Sequence, residues 1–358
     1  GKTTVSSSLS IQRAMRSARE NQGDTLLIST DPAHSLSDAF KMNFTGEPTQ
    51  VPGVKGLWVM EINPAAMVQK EVEEWAQLAK QAGIEEFTGE FNKFQGWLTA
   101  LPGIDEATAL ASALERIRSK QFSTIVFDTA PTGHTVKLLG LPEVIQAGID
   151  KLDKFSSKLL GYVTTFKNMF NPNPEGQVDV QKLLSEKLHK YKDSVQLLGN
   201  MLKDQKRTNF VIVCIAEYLS VMESKRLVAD LKEQGISNSH IVVNQLVKGA
   251  PEKSDLKSIL PALRDLPKGP KRRLLHCMSL MNARENIQQK YLDVLSGAEE
   301  LKGVTIVPLP LLKDEVTGVE KLQKFSTLLA DGHNPSKSTL LFGDEEDDFE
   351  DADAYVLQ

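Results

Sequence analysis

The chain has 358 residues, of which 41% are hydrophobic and 25% charged, the composition of a globular protein with enough apolar side chains for one large core or two modest ones. No run of about 18 apolar residues occurs, so no membrane-spanning helix is predicted in this sequence. Eight carboxylates between Asp344 and Asp353 dominate the net charge of −5, and the rest of the chain carries +3. A charge this close to zero makes the rest of the chain a poor nucleic-acid binder, so that only a local basic patch could bind nucleic acid.

The chain opens on Gly1-Lys2-Thr3-Thr4, the closing half of a phosphate-binding loop of the form G-x-x-x-x-G-K-[ST]. Lys2 would neutralise charge on the β- and γ-phosphates of a nucleotide, and the Thr3 hydroxyl would bind Mg²⁺. A plainer interpretation is the capped start of a helix, predicted over residues 5–19, with an incidental Gly-Lys pair. A phosphate loop needs a strand and a glycine-rich run before these residues, so we expect the chain to be a fragment.

Two aspartates follow short apolar segments that are typical of buried strands. Asp31, in the motif TDPAHSLSD, comes after a strand predicted at 25–29, and Asp128 closes a strand predicted at 123–128. Open α/β sheets bind ligands at this end of their strands, and Asp128 matches the magnesium-linked carboxylate of phosphate-loop NTPases. The loop after it, DTAPTGHT, suits a segment that responds to the γ-phosphate. The alternative for Asp31 is an ordinary turn that caps the next helix.

Two regions predicted to be helical, residues 64–120 and 141–207, interrupt the strands, and each carries an apolar stripe at helical spacing. Taken alone, stripes this aromatic are more typical of a buried core than of a binding surface. If the stripes instead lined a binding surface, some of the following residues would face the bound partner: Phe87, Phe91, Phe94, Leu98, Val163, Phe166, Met169 and Phe170.

Alternating strands and helices predict an α/β fold, a parallel sheet covered by helices on both faces. Further strands are predicted at 57–61, 210–215, 241–244 and 304–308, and helices at 220–233 and 280–295. The core would comprise 1–63, 121–140 and 208–335, with a Pro- and Lys-rich insertion at 248–276. The acidic tail, 336–358, is predicted to be disordered, with partner docking as the alternative.

With these motifs in order, the chain closely resembles the ArsA family of ATPases, and TDPAHSLSD and DTAPTGHT are specific to that family. Within it, the chain is similar to the eukaryotic branch that delivers tail-anchored membrane proteins to the endoplasmic reticulum. Four further segments fit that branch in order: PGIDE at 102–106, IAEYLS at 215–220, VNQL at 243–246 and QKYL at 289–292. The implied fold is a phosphate-loop NTPase of the deviant Walker A, signal-recognition and MinD-like class with an inserted helical client-binding subdomain.

The resemblance implies a homodimeric ATPase that uses ATP and Mg²⁺. Asp31 would orient the attacking water, and Glu217 would approach the nucleotide near the subunit interface. The residues implied on the magnesium side and in the switch are Asp128, Thr129, Pro131, Gly133 and His134, and those implied at the adenine are Asn244, Pro308, Leu309 and Pro310. A further lysine of the family's phosphate loop, which reaches across the dimer, would precede Gly1, so the chain as given is expected to be catalytically impaired.

The resemblance also implies that nucleotide closes the dimer and joins the helical blocks into an apolar groove for a client's membrane helix of about 20 residues. The implied partners are tail-anchored clients and a receptor at the endoplasmic reticulum membrane, and the implied location is the cytoplasm. One alternative is an arsenite-pump-driving ATPase, although two distant cysteines cannot readily supply converging thiolates. The other is an ATP-independent holdase, which the retained Asp31 and Asp128 disfavour.

Eukaryotic members of the family commonly carry Cys-x-x-Cys, so that two subunits share one zinc ion, whereas this chain has Cys277-Met278-Ser279-Leu280. One thiolate per subunit supplies two of the usual four ligands, and His276 from each side would have to supply the rest. We therefore predict no structural zinc. The other cysteine, Cys214, is far away in sequence, so no disulfide framework is predicted, which suits a reducing compartment.

Overall fold

The computed structural model describes residues 1–31, 33–62, 122–129, 203–251 and 253–331, together with residues 73, 77, 186, 193, 200 and 201. Residues 73, 77, 186, 193, 200, 201 and 203 are helical, and all of them belong to the two regions with a helical sequence pattern. The eight residues named for the client groove, the loop residues Pro131, Gly133 and His134, and the acidic tail lie outside the described residues.

The described strands form two sheets. The first has the order β2-β3-β1-β4, in which β1 (Thr25–Ser29) runs parallel to β3 (Leu57–Glu61) and β4 (Thr124–Asp128), and the short β2 (Thr49–Gln50) is antiparallel to β3. The second is parallel, with the order β5-β6-β7. Its strands are Phe210–Ile215, Asn238–Leu246 and Thr305–Pro310. The α/β class is confirmed. The described strands form two sheets rather than the one predicted, since β4 and β5 are edge strands that do not pair with each other.

Six α-helices are described around these sheets, and none of them is both long enough and apolar enough to cross a membrane. They are α1 (Lys2–Glu20), α2 (Ser35–Phe40), α3 (Tyr218–Glu233), α4 (Lys253–Ala262), α5 (Lys268–Ser296) and α6 (Val319–Asp331). A single 3₁₀ turn, Glu299–Leu301, precedes β7.

Helix α1 packs against both sheets. Its Ile11 lies in one core cluster with Leu27 of β1, and its Val5 lies in another with Val242 of β6. The buried face of α1 also carries small side chains, Ser7, Ser8, Ser10 and Ser17, which allow a close approach to its neighbours. The Ser8 hydroxyl donates to the Leu322 carbonyl of α6 at 3.3 Å, so α1 and α6 cover the sheets together.

Both sheets bury alternate side chains on opposite faces, as period-two strands do. In β1, Leu27 faces α1, whereas Leu26 and Ile28 pack with Phe122 on the other side. In the second sheet the face opposite α1 packs Val243 against α3 and the end of α5. The two sheets thus form the core of the described part, and the C-terminal ends of their strands lie at the edges of the sheets.

The strands predicted at 25–29, 57–61 and 210–215 are confirmed to the residue. The predicted start of the 280–295 helix is wrong, because α5 begins at Lys268. Its Pro270 lies in the first turn, where a missing N–H group breaks no hydrogen bond and the helix tolerates proline. Much of the predicted insertion is therefore helical, in α4 and the first turns of α5.

Candidate active site

The C-terminal ends of β1, β3 and β4 meet at one edge of the first sheet. Ser29 is in register with both Glu61 and Asp128. The backbone continues this contact past the strands, because the Thr30 N–H donates to the Asp128 carbonyl at 3.2 Å and the Ile62 N–H donates to the Ser29 carbonyl at 2.9 Å. Asp31 and Asp128, which the sequence places at strand ends, are therefore at the same edge.

Lys2, at the start of α1, brings the phosphate-loop residues to this edge. Its ammonium donates a hydrogen bond to the carbonyl of Thr129, directly after β4. Burial lowers the pKa of Lys2, and the nearby carboxylates of Asp128 and Asp31 oppose that shift. A partly desolvated cation beside the free N–H groups of a helix N-terminus is well suited to bind an anion such as phosphate.

Asp128 is 3% exposed, and its Oδ2 atom accepts no hydrogen bond from any residue that the structure describes. Burial raises the pKa of Asp128, while the neighbouring Thr3 and Ser6 hydroxyls and the Lys2 ammonium favour its charged form. A buried carboxylate oxygen without a donor is costly, and a cation beside it removes the cost.

The residues around Asp128 fit a magnesium ion. Mg²⁺ prefers oxygen ligands and typically takes one or two from protein, with water and substrate phosphates supplying the rest. The unpartnered Oδ2 and the Thr3 hydroxyl are such oxygens. In the described part of the chain no group of three or more His, Cys, Asp or Glu side chains is arranged to hold a metal, as a dedicated protein cage would require.

The carboxylate of Asp31 is held by its own loop. Its Oδ1 accepts the Ala33 N–H at 3.0 Å, and its Oδ2 accepts the Ser35 hydroxyl at 2.5 Å. The Ser35 hydrogen bond is the main reason that the pKa of Asp31 is lowered, with help from Ala33, Lys2 and His34 against burial. A carboxylate with a lowered pKa is a weak base but a well-oriented acceptor, which suits orienting a water molecule better than removing its proton.

Glu61 is a third acidic residue at this edge, and the sequence-based reasoning missed it. Its buried carboxylate accepts hydrogen bonds from the residues that begin α2, close to Asp31. A signal for it was present: Glu61 closes the apolar run LWVME just as Asp128 closes TIVFD. The rule that a carboxylate at a strand end points to a site applies equally to both.

The residues implied at adenine lie at the matching edge of the second sheet. Asn244 is buried near the end of β6, where its Oδ1 accepts the Gln245 N–H at 2.8 Å and its Nδ2 donates to no described residue. Pro308 and Pro310 are half-buried in β7. Leu309, however, is fully buried in the core with Val5, so only its backbone is available to a nucleotide.

Glu217 occupies the N-cap position of α3, after β5, and forms an ion pair with Arg284 of α5. The structure thus places Glu217 at the same end of the second sheet as Asn244, since Ile215 is in register with Asn244. Both partners of this ion pair are close to half exposed.

The two cysteines occupy different environments. Cys214 is buried in the core beside α3, and burial raises the pKa of its thiol to about 11. Cys277 is exposed on α5, one turn before Leu280, which is 61% exposed. His276 is also exposed on that helix.

A sheet edge with two aspartates, facing a lysine and a threonine at a helix N-terminus, defines a phosphate-loop NTPase. The family model described as anion-transporting ATPase, that of the ArsA ATPases, matches residues 1–261 and 266–331. The chain belongs to the ArsA ATPase family, as its motifs indicate.

Curated relatives cover nearly all of this chain. ATPase GET3A of Arabidopsis thaliana is 36% identical over 338 residues, which is 94% of this chain and 83% of the relative. ATPase GET3 of Podospora anserina is 37% identical over 92% of this chain and 87% of its own length. The ATPase ASNA1 homolog of Dictyostelium discoideum is 36% identical over 95% and 89%. The family and these relatives support ATP hydrolysis as the activity of this chain.

Proposed function

We propose that this protein is an ATP-hydrolysing targeting factor, which binds the transmembrane helix of tail-anchored proteins and delivers them after translation to the endoplasmic reticulum membrane. It acts in the cytoplasm as a homodimer and associates peripherally with that membrane through a receptor. The motif order of the eukaryotic branch supports this function, together with relatives named ATPase GET3 and ASNA1 homolog. The observation that carries the ATPase part is the edge where Lys2, the unpartnered Asp128 oxygen and the oriented Asp31 meet.

The start of α1 holds the phosphates. Lys2 donates to the β- and γ-phosphate oxygens in exchange for the Thr129 carbonyl, and the N–H groups of the first turn add further donors. The Thr3 hydroxyl and the Asp128 carboxylate would hold the magnesium ion. When bound, Mg²⁺ supplies positive charge that offsets the charge developing on the transferred phosphoryl group.

Asp31 orients the attacking water. Its carboxylate stays ionised because the Ser35 and Ala33 hydrogen bonds favour the charged form, so it accepts a hydrogen bond from water throughout the neutral pH range. Orientation of the nucleophile, rather than proton removal, is the main contribution that phosphoryl transfer requires from such a residue.

The second sheet binds the nucleoside. The Asn244 Nδ2 group, free of described partners, is available to an acceptor on the adenine, while Pro308 and Pro310 offer apolar surface to the ring. Glu217 follows β5 at the same end of the sheet as Asn244, and it forms an ion pair with Arg284 of α5.

The α3 and α5 helices supply the surface for the second subunit. Leu219 is 77% exposed at the start of α3, and large apolar side chains are exposed along α5: Leu274, Leu280, Met281 and Ile287. Several large apolar side chains exposed on two helices are typical of protein interfaces, and a symmetric pair buries the same surface on both copies.

This dimer holds without zinc, because Leu280 offers no ligand one turn after Cys277. Protein purified without added metal is expected to contain well below one zinc per dimer by mass spectrometry, and chelators should leave the dimer intact. Stoichiometric zinc, with dissociation on chelation, would show that His276 or another residue completes the site.

Client capture tests the targeting function directly. In a chain with a complete phosphate loop, the double variant Phe166→Asp, Phe170→Asp should keep its melting temperature and ATPase rate and lose co-purification of a tail-anchored helix, because charges disrupt an apolar groove. Asp31→Asn is the matched control, since it should slow ATP hydrolysis and still capture the client. Full capture by the stable, active double variant would remove these residues from the client site.

The alternatives have less support. An arsenite-binding function needs several thiolates at one place, but the chain has two cysteines, of which one is buried in the core and the other exposed on α5. A holdase that does not use ATP would have no need for a buried, unpartnered carboxylate beside a phosphate-loop lysine.

A further inference from the structure

Glu61, the last residue of β3, is 5% exposed, and the described residues that donate to its carboxylate lie between positions 34 and 37. Its Oε1 atom accepts the Leu36 N–H at 2.9 Å and the Ser37 N–H at 3.0 Å. Its Oε2 atom accepts the Ser37 hydroxyl at 2.8 Å and lies 2.9 Å from Nδ1 of His34. A buried carboxylate with four such contacts is fully satisfied, and the contacts are of the strong, charge-assisted kind.

Glu61 provides the cap that α2 lacks in its own sequence. His34 occupies the N-cap position, makes no side-chain cap, and adopts φ 54° and ψ 37°, a conformation that is unfavourable for a residue with a side chain. The Glu61 carboxylate instead binds two N–H groups of the first turn and the ring of His34. Since α2 has six residues, too few to form a stable helix alone, this contact fixes its start against β3.

The start of α2 in turn holds Asp31. Ser35, the first residue of α2, donates its hydroxyl to Asp31 Oδ2 at 2.5 Å. The N–H groups of the next two residues donate to the Glu61 carboxylate. The Asp31 N–H is held from the other side by the Ser29 hydroxyl at 3.1 Å. A shift of α2 away from Glu61 would therefore move Ser35 and reorient the Asp31 carboxylate.

We propose that Glu61 is a positioning residue for ATP hydrolysis, which acts through Ser35 on the carboxylate of Asp31. The inference rests on the proposed role of Asp31 in orienting water. Among the described residues, Glu61 contacts neither Lys2 nor Thr3. It ends β3, on one side of β1, whereas Asp128 ends β4, on the other side. Its loss should consequently slow the chemical step and leave nucleotide binding intact.

The test measures kcat, KM for ATP and the stoichiometry of nucleotide binding in a chain with a complete phosphate loop. Glu61→Ala should lower kcat about 10- to 100-fold, since small displacements of a catalytic group have costs of this size. KM should stay within about 3-fold, because ground-state binding is not touched. Glu61→Gln keeps an oxygen for the Leu36 and Ser37 N–H groups and should recover most of the loss.

Asp24→Asn is the matched control. Asp24 accepts a hydrogen bond from the Trp58 ring nitrogen at 2.8 Å at the opposite end of the same strands, so its replacement should leave kcat unchanged. Ser35→Ala breaks the link to Asp31 without disturbing the buried carboxylate, and it should lose kcat to a similar extent. It keeps the test decisive if Glu61→Ala does not fold.

A double-mutant cycle with Asp31→Asn decides whether Glu61 acts through Asp31. The double variant Asp31→Asn, Glu61→Ala should be no slower than Asp31→Asn alone, because two residues that act as a unit give non-additive losses. Losses that multiply, an unchanged kcat in Ser35→Ala, or a loss matched by fewer nucleotide-binding sites would overturn the inference. A normal kcat in Asp31→Asn would instead overturn the proposed role of Asp31, and the inference with it.

Discussion

The two sheets end in different chemical environments. At the C-terminal edge of the first sheet, two carboxylates are buried: Asp128 has an oxygen that accepts no hydrogen bond from any described residue, and Glu61 is enclosed by donors at the start of α2. At the C-terminal edge of the second sheet, Asn244 is neutral, and the Glu217 carboxylate is paired with Arg284 near solvent. Buried charge acts strongly on a reacting phosphate, whereas a neutral edge suits recognition of a base. This difference is the basis for the proposal that the first sheet serves the chemistry and the second binds the base.

Among the predictions that follow, replacement of Asp128 is expected to have the largest effect, a loss of ATP hydrolysis. Asp128→Asn should lower kcat by a factor of about 100 or more, because in the proposed site an amide would attract a magnesium ion far less than the carboxylate does. The Mg²⁺ concentration that gives half-maximal turnover should rise in parallel. The measurement is steady-state ATP hydrolysis across a magnesium titration, and an unchanged magnesium dependence would remove Asp128 from the metal side.

The two cysteines are expected to differ in thiol reactivity, because Cys214 lies in the interior of the second sheet and Cys277 on the surface of α5. A pKa of about 11 leaves Cys214 with roughly 100-fold less thiolate near pH 8 than an ordinary cysteine, and burial slows access further. Iodoacetamide should therefore modify the exposed Cys277 and spare Cys214, as peptide mass spectrometry would show. Equal labelling of both thiols in the folded protein would contradict the packing of the second sheet.

The pH dependence of stability follows from the raised pKa of Asp128. The folded protein binds this proton more readily than the unfolded chain, so stability falls as the pH rises from the ordinary aspartate range through the raised pKa. Without nucleotide or magnesium, Asp128→Asn should melt a few degrees higher at neutral pH. The gain should shrink as the pH falls towards about 4, near the ordinary pKa. Thermal unfolding at several pH values tests this, and a lower melting temperature at neutral pH would show that the ionised group stabilises the fold.

The smallest effect is expected from the exposed ion pair. Arg284→Ala should change the free energy of unfolding by no more than about 1 kcal/mol, since solvent screens charges of this exposure. Denaturant titration provides the value. A loss of several kcal/mol would mean that the second edge also depends on buried charge, and the contrast between the edges would fail.

Local sequence signals were enough for the parts of the fold that they control. Runs such as TLLIS and LWVME, bounded by turn residues, define strands to the residue, because a buried strand needs a continuous apolar segment. The first turns of α5 carry Gly269, Pro270 and several basic residues, which resemble a loop. A proline in the first turn of a helix, such as Pro270, is tolerated, whereas one further along would break the helix. Composition alone does not distinguish these two cases. Helix α6 was missed although Leu322 and Phe325 recur at helical spacing.

In the candidate site, motif order was enough to bring Lys2, Asp31 and Asp128 together. It could not reveal that Glu61 caps α2 from 25 residues away, because that contact exists only when β3 lies beside β1. Nor could it reveal that Leu309 turns into the core while its neighbours Pro308 and Pro310 stay accessible. Such features depend on tertiary register, which a local pattern does not encode.

In the proposed mechanism, the C-terminal edge of the first sheet performs the chemistry and that of the second binds the base. Single-turnover rates and ATP affinities of Asp31→Asn and Asn244→Ala, measured side by side in a chain with a complete phosphate loop, test it most directly. Asp31→Asn should be at least about 100-fold slower with little change in affinity. Asn244→Ala should bind ATP about 10-fold more weakly and react at nearly the normal rate when saturated. A near-normal rate in Asp31→Asn, or an equal loss of rate in both variants, would contradict this division of roles between the two sheets.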